Sequence, residues 1–309
     1  MRLLALLTLM LVATTGCAAF TDDASNGGRV TVAAAFYPLA FVAERVGGDD
    51  VSVTNLTQPG AEPHDLELTI KETAEIEDAD LVLVEHGLQP AVDDAVEQVA
   101  SGAVLDVADV VELEPADEHA DDHGSEPEAH EGHEHGDLDP HFWQDPDRMA
   151  TLTEAVADAL SEIDPDHADT YRANADELVG ELHELTTAYD EGLRGCARDT
   201  VVVSHDAFGY LERFGLHIEG IAGLSPDSEP TPADLARLQD LIDAEGITTV
   251  FSERLVSPRL TQTLADDMGI STAILDPIEG LSDETAGEDY LSLMRENLAA
   301  LQQANGCPT

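Results

Sequence analysis

Residues 29–56 read RVTVAAAFYPLAFVAERVGGDDVSVTNL. Val30 to Ala34 is a short apolar run of strand type, Pro38 to Val46 is helical in its spacing, and Val51 to Leu56 returns to strand character. A strand, a helix and a strand within so short a stretch is the signature of an α/β fold. Moving outward, a helix near Ile70 to Glu77, a strand at Leu81 to Val84, a helix near Pro90 to Val99 and a strand near Ala103 to Val107 complete a first lobe. From Glu112 to Asp137 the periodicity is lost and acid, histidine and glycine take over, so residues 112–137 are expected to be a flexible loop. Beyond Pro146 apolar residues recur at Met149, Leu152, Val156 and Leu160, then at Tyr171, Ala175, Leu178, Leu182, Leu185 and Tyr189. Asp164-Pro165 interrupts them, which predicts a shorter helix followed by one long helix of about 30 residues ending near Gly195. A second alternating series follows at Thr200 to Val203, Phe208 to Phe214, Ile218 to Ile221, Pro232 to Glu245, Thr249 to Phe251, Pro258 to Met268, Thr272 to Leu275 and Tyr290 to Gln303. The expected architecture is two similar α/β lobes, residues 29–146 and 196–309, with a cleft between them, joined by linking helices over 147–195 of which the long one is a rigid backbone.

The N-terminus has a different character. Arg2, an apolar run from Leu3 to Ala13, and Thr14-Thr15-Gly16-Cys17 have the layout of an export signal, a charged start and hydrophobic core before a small-residue cleavage site. The run is too short for a bilayer of ~30 Å. Cys17 after a small residue resembles the lipobox of bacterial lipoproteins, so residues 1–16 are read as a signal peptide and 17–28 as a tether lipid-anchored at Cys17. Ordinary secretion with a free cysteine is the alternative. Cys196 and Cys307 then remain, and outside the cell an even pair points to one disulfide, worth about 4 kcal/mol in the chain-entropy model. A thiolate metal site is the rival reading, disfavoured by the absence of a close Cys-x-x-Cys spacing.

The chain carries 65 acidic against 13 basic residues, a formal charge of −52, and its single lysine is Lys71. That field excludes a nucleic-acid partner. With 43% hydrophobic residues in periodic positions a packed core is still expected, the acids forming a solvated surface. Such self-repulsion suits high salt, where the Debye length falls to about 3 Å at 1 M, so a halophilic or salt-tolerant source is inferred.

Three separated stretches place a histidine in a stiff polar setting: Pro63-His64-Asp65, Asp139-Pro140-His141 and Ser204-His205-Asp206. Asp276-Pro277 is a fourth candidate, and His119, His123, His130, His133 and His135 lie just upstream of His141. Together they point to a transition-metal site assembled by folding. Three neutral imidazoles and one carboxylate would leave a zinc site with charge +1. The rest of His86, His167, His183 and His217 have no motif context and read as surface or packing residues.

These motifs carry a family resemblance. Gly60-Ala61-Glu62-Pro63-His64-Asp65, Asp139-Pro140-His141-Phe142-Trp143, Ser204-His205-Asp206-Ala207-Phe208-Gly209-Tyr210, Ile221-Ala222-Gly223-Leu224-Ser225-Pro226 and Asp276-Pro277, in this order, resemble the series of zinc-binding substrate-binding lipoproteins of metal ABC importers. The resemblance covers essentially the whole chain after the leader. It implies an extracytoplasmic protein of the cell envelope, at the outer face of the cytoplasmic membrane, which captures Zn2+ between its lobes and delivers it to a permease and its ATPase. It implies a monomer that is not an enzyme, with His64, His141 and His205 as imidazole ligands and Asp276 as the carboxylate. Glu62 or water are the alternative fourth ligands, because Pro63 occupies the position where some members carry a glutamate. Related manganese-type proteins place a carboxylate where His205 stands, so His205 tilts the reading to zinc. Arg254 departs from a common proline, and Glu253 is a candidate to orient a ligating imidazole. The spaced histidines of residues 117–136 could capture zinc and pass it inward. The alternatives are a manganese or iron importer component, or an adhesin or zinc buffer with the same fold. A zinc hydrolase would need an open coordination position and a general base, and no His-Glu-x-x-His helix is present.

Overall fold

A computed structural model of the chain describes residues 28–116 and 138–308. Residues 1–16, read as an export signal, Cys17 and the expected tether up to residue 27, and His119, His123, His130, His133 and His135 lie outside the described residues.

The first lobe is a parallel sheet of β1 (Val30–Ala34), β2 (Val51–Asn55), β3 (Leu81–Val84) and β4 (Ala103–Asp106) in the order β2-β1-β3-β4. All four residues of β3 are buried, with no alternation of apolar and polar positions, because helices cover a parallel sheet on both faces. Those helices are α1 (Tyr37–Gly47), α2 (Ile70–Asp78) and α3 (Pro90–Val99). Proline stands in the first turn of α1 and of α3, where its missing N–H costs nothing, and Thr69 with Glu72 forms a capping box on α2. At Gly47 a Cβ would lie 2.2 Å from the Val51 side chain, so only glycine lets the chain turn this tightly into β2.

Two short strands follow, β5 (Glu114–Pro115) and β6 (Leu138–Asp139), paired antiparallel. Glu114 and Pro115, expected within a flexible loop over 112–137, are therefore strand-paired, and the rest of that expected loop from residue 117 onward lies outside the described residues. Two-residue strands carry no period, and this pair is fixed from outside: the Tyr210 hydroxyl accepts the Glu114 N–H at 2.9 Å and donates to the Asp139 carbonyl at 2.7 Å.

The helical connection consists of α4 (Pro146–Ile163) and α5 (Ala168–Gly192). Asp164-Pro165 separates them as the sequence indicates, and α5 has 25 residues. Its buried stripe is Tyr171, Ala175, Leu178, Leu182, Leu185 and Tyr189. α5 is held to the first lobe by Asn174, which donates to the Val46 carbonyl at 2.9 Å, and by the Arg45–Glu181 ion pair.

The second lobe repeats the first. Its strands are β7 (Thr200–Val203), β8 (His217–Gly220), β9 (Thr249–Ser252) and β10 (Ser271–Ile274), parallel and in the order β10-β9-β7-β8. In both lobes the first strand thus lies between the second and the third. Its helices are α6 (Pro232–Glu245), α7 (Arg259–Met268) and α8 (Tyr290–Asn305). Residues 209–214 form a 3-10 helix capped by Gly215 in the left-handed region. The Tyr189 hydroxyl of α5 donates to the Met294 carbonyl of α8 at 2.7 Å, so α5 is anchored to both lobes. Cys196 and Cys307 form a disulfide, and beside it the Ala197 and Arg198 N–H groups donate to the Asn305 carbonyl at 3.0 and 3.1 Å. No helix among the described residues is long and apolar enough to cross a membrane.

Candidate metal centre

In a parallel α/β sheet, ligands collect beyond the carboxyl ends of the strands, above all where the strand order reverses. Both lobes direct such an end toward the same cleft. His64 lies on the connection that leaves β2, His141 follows β6, His205 stands two residues past β7, and Glu279 lies on the loop that leaves β10. These four side chains, and no other group of three or more histidine, cysteine or acidic side chains among the described residues, place one candidate ligand atom each within 4.8 Å of all the others.

The centre of the cluster is one carboxylate oxygen. Glu279 Oε1 is 3.4 Å from His64 Nε2, 3.5 Å from His141 Nε2 and 3.4 Å from His205 Nε2, while His64 and His141 Nε2 are 3.4 Å apart. Around a zinc ion with bonds of about 2.05 Å, tetrahedral ligand atoms stand about 3.3 Å from one another. The observed spacing is that of such a polyhedron, and His205 Nε2 has no hydrogen-bond partner despite its burial. The side chains of His141, His205 and Glu279 are at most 2% exposed, whereas His64 is 11% exposed and forms the outer wall.

Each buried ring is oriented from behind. Asp139 Oδ1 is 2.7 Å from His141 Nδ1 and also accepts the His141 backbone N–H at 2.9 Å. Glu253 Oε1 is 2.7 Å from His205 Nδ1 and accepts the Ser204 hydroxyl as well. A carboxylate on Nδ1 fixes the tautomer and aims Nε2 at the cluster. Burial draws the His141 and His205 pKa values down, but Asp139 and Glu279 raise the first to about 9, and Glu253 and Glu279 raise the second to about 10. Burial would raise Glu279, yet its close contacts with the His141, His205 and His64 rings hold it well below the usual range.

The carboxylate in the cluster is Glu279 and not Asp276, which corrects the expectation from the sequence. The Asp276 carboxylate is 2.9 Å from Arg254 Nε, and its Oδ1 accepts the Ile278 N–H at 2.8 Å. Its backbone exchanges hydrogen bonds with the Asn297 amide at 2.9 and 2.6 Å. This turn holds Ile278 at φ 60°, an unusual conformation for a β-branched residue, and thereby swings Glu279 inward. The Pro277 carbonyl accepts Trp143 Nε1 at 2.7 Å and Gln144 Nε2 at 2.5 Å, which ties the Glu279 loop to the His141 segment. Glu62 is not in the cluster either: its oxygens accept the His64 and Asp65 N–H groups at 3.1 and 3.2 Å and so cap the loop. The sequence signal for Glu279 is weak, a glutamate before Gly280 in a loop opened by Asp-Pro.

His167 Nδ1 is hydrogen-bonded to Asp164 Oδ2 at 2.6 Å at the surface, His217 lies near Glu212 and Glu219, and His183 is exposed. His86 is half-exposed, at the wall of a cavity that borders His64.

Residues 32–304 match the family described as "Zinc-uptake complex component A periplasmic". The chain is 35% identical over 298 residues to the zinc-binding lipoprotein AdcA of Streptococcus pneumoniae, covering 93% of this chain and 59% of that protein. It is 31% identical over 300 residues to the high-affinity zinc uptake system protein ZnuA of Bacillus subtilis, covering 96% and 94%. Among solved structures, the Zn(II)-bound ZnuA-like domain of pneumococcal AdcA superposes with a TM-score of 0.74 at 32% identity, over 90% of this chain and 99% of that one. The laminin-binding protein Lmb of Streptococcus agalactiae, described as having adhesin and metal transporting activity, gives 0.78 at 28% identity, over 89% and 99%. The chain spans 59% of the length of the streptococcal AdcA it matches.

Proposed function

We propose that this chain, which belongs to the zinc-uptake complex component A family, captures Zn2+ outside the cytoplasm and delivers it to the permease and ATPase of an ABC importer. The observation that carries the proposal is the placing of three Nε2 atoms at 3.4–3.5 Å from one oxygen of Glu279. In this reading His64, His141, His205 and Glu279 bind the cargo. Asp139 and Glu253 orient the rings, and Asp276 acts by building the turn that presents Glu279. All four coordination positions come from the protein, which suits a carrier and leaves no open position for an activated water. Three imidazoles also favour zinc over manganese or iron, which draw harder oxygen-rich sites.

The remaining features fit an envelope protein. The leader would be cut before Cys17 and that residue acylated, the Cys196–Cys307 disulfide belongs to an oxidising compartment, and the acidic surface suits a saline medium. The lobes at 29–146 and 196–309, with 147–195 between them, would work as one monomeric carrier, and the histidines of 117–136 would raise the local zinc concentration near the cleft.

The test is a competitive titration of the metal-stripped protein with Zn2+ and Mn2+ in high salt against a chromophoric chelator, alongside His205→Ala. Tight zinc binding at one site that is lost in the variant supports the proposal. Manganese preference, or zinc binding indifferent to His205, overturns it.

A further inference from the structure

The Asp139 carboxylate that aims His141 stands in the first lobe, but two of the groups that hold it come from the second. The Tyr210 hydroxyl donates to the Asp139 carbonyl at 2.7 Å, from a side chain only 2% exposed. Gly209, the residue before it, lies against the carboxylate itself: a Cβ at Gly209 would stand 2.9 Å from Asp139 Oδ2. Gly209 is not among the glycines with positive φ, so backbone freedom is not what the position demands. What it demands is close approach, which only glycine permits without displacing the oxygen.

Asp139 is thereby fixed at three points. Its Oδ1 meets His141 Nδ1 at 2.7 Å and the His141 backbone N–H at 2.9 Å, its Oδ2 lies against Gly209, and its carbonyl accepts from Tyr210. A carboxylate is a rigid plane, so a push on Oδ2 is felt at Oδ1. Tyr210 is held in turn. Its hydroxyl accepts the Glu114 N–H at 2.9 Å, which leaves its own proton for Asp139, and its ring lies under the Arg148 guanidinium, 4.8 Å from the centroid. Arg148 is also paired with Glu114, which closes the arrangement.

We infer that Gly209 and Tyr210 are positioning residues of the metal centre, acting on His141 through Asp139, so that the second lobe sets the aim of a ligand carried by the first. The inference rests on the reading of the cluster as the zinc site.

The full chain and its variants are compared in zinc affinity by chelator competition, in urea unfolding without metal, and in the visible spectrum of the Co2+ complex. Tyr210→Phe removes only the hydroxyl and Gly209→Ala adds only a methyl. Each should weaken zinc about 10-fold, the lower end of the usual effect of losing an orienting group. The added methyl is relieved by a swing of the Asp139 side chain, so Gly209→Ala should keep the urea midpoint while its Co2+ bands shift. In an Asp139→Ala background neither substitution should weaken zinc further, because the intermediary is gone. Glu253→Gln acts on another ring, and its loss should multiply with either. Unchanged affinity in both variants, or the same losses persisting without Asp139, overturns the inference. A Gly209→Ala protein with a lowered midpoint and an unshifted Co2+ spectrum has lost packing alone and overturns it as well. Should Tyr210→Phe fail to fold, Gly209→Ala carries the same comparison. Zinc binding that is indifferent to His205→Ala in the unsubstituted background would overturn the proposed function, and the inference with it.

Discussion

Nδ1 of His205 lies 2.7 Å from Oε1 of Glu253, and both side chains are at most 2% exposed. The pair joins the ends of two neighbouring strands, β7 and β9, so the ring cannot turn without disturbing the sheet edge. Replacing Glu253 by Gln should lower zinc affinity by about 10- to 100-fold, the usual effect of losing an orienting carboxylate. Chelator competition measures this directly, and an unchanged affinity would mean that packing alone aims the imidazole.

Glu279 and Asp276 should respond differently to neutralisation. Glu279→Gln removes the charge at the centre of the cluster and should cost more than the ~10- to 100-fold of an outer change. Asp276→Asn keeps an oxygen for the Ile278 N–H and loses only the ion pair with Arg254, so its cost should stay below about 10-fold. The reverse ranking in the same competition assay would restore Asp276 as the ligand.

Proton release should accompany zinc binding. With His141 at about 9 and His205 at about 10, both rings of the metal-free protein are protonated at neutral pH, and zinc takes only neutral imidazole. Calorimetry in buffers of different ionisation enthalpy should therefore show one proton released from each ring. In the metal-free protein these raised values stabilise the fold fully below the ordinary histidine value of 6.5, and the contribution is lost as pH rises through 9 and then 10. Glu279 has the opposite sign, stabilising above its ordinary 4.5 and fading as pH falls through its depressed value. The thermal shift produced by zinc should accordingly grow from pH 6 to pH 9; a flat profile would contradict the protonated rings.

Removing the disulfide should affect stability and leave the metal centre alone. The bond closes a sequence separation of 111 residues, for which the chain-entropy model gives about 4–5 kcal/mol as an upper figure. The double variant Cys196→Ser, Cys307→Ser should unfold at lower denaturant while its zinc affinity stays unaltered. Both are read in one set of urea titrations with and without zinc.

Much of this arrangement was legible in the sequence, for identifiable reasons. Strands such as Leu81–Val84 are continuous apolar runs, and the α4–α5 break is written in Asp164-Pro165. The three histidines stand out because proline or aspartate stiffens the chain around each. Glu279 was not legible, since its position depends on Ile278 adopting φ 60° and on Arg254 neutralising Asp276, relationships between segments far apart in the chain. Arg254 marked the place as unusual without revealing the reason. The β5–β6 pair was hidden because its register is set by Tyr210, some seventy residues later.

The anchoring of α5 at both ends bears on how the proposed cargo would leave. Asn174 grips α1 and Tyr189 grips α8, and fifteen residues at 1.5 Å each set these grips about 22 Å apart along one rod. The rod acts as a ruler: a docking partner that pulls on both lobes meets a fixed gauge instead of a jaw. In the proposed carrier, unloading would then rely on individual loops, and the one bearing His64, whose side chain is 11% exposed, is the outermost of the cluster.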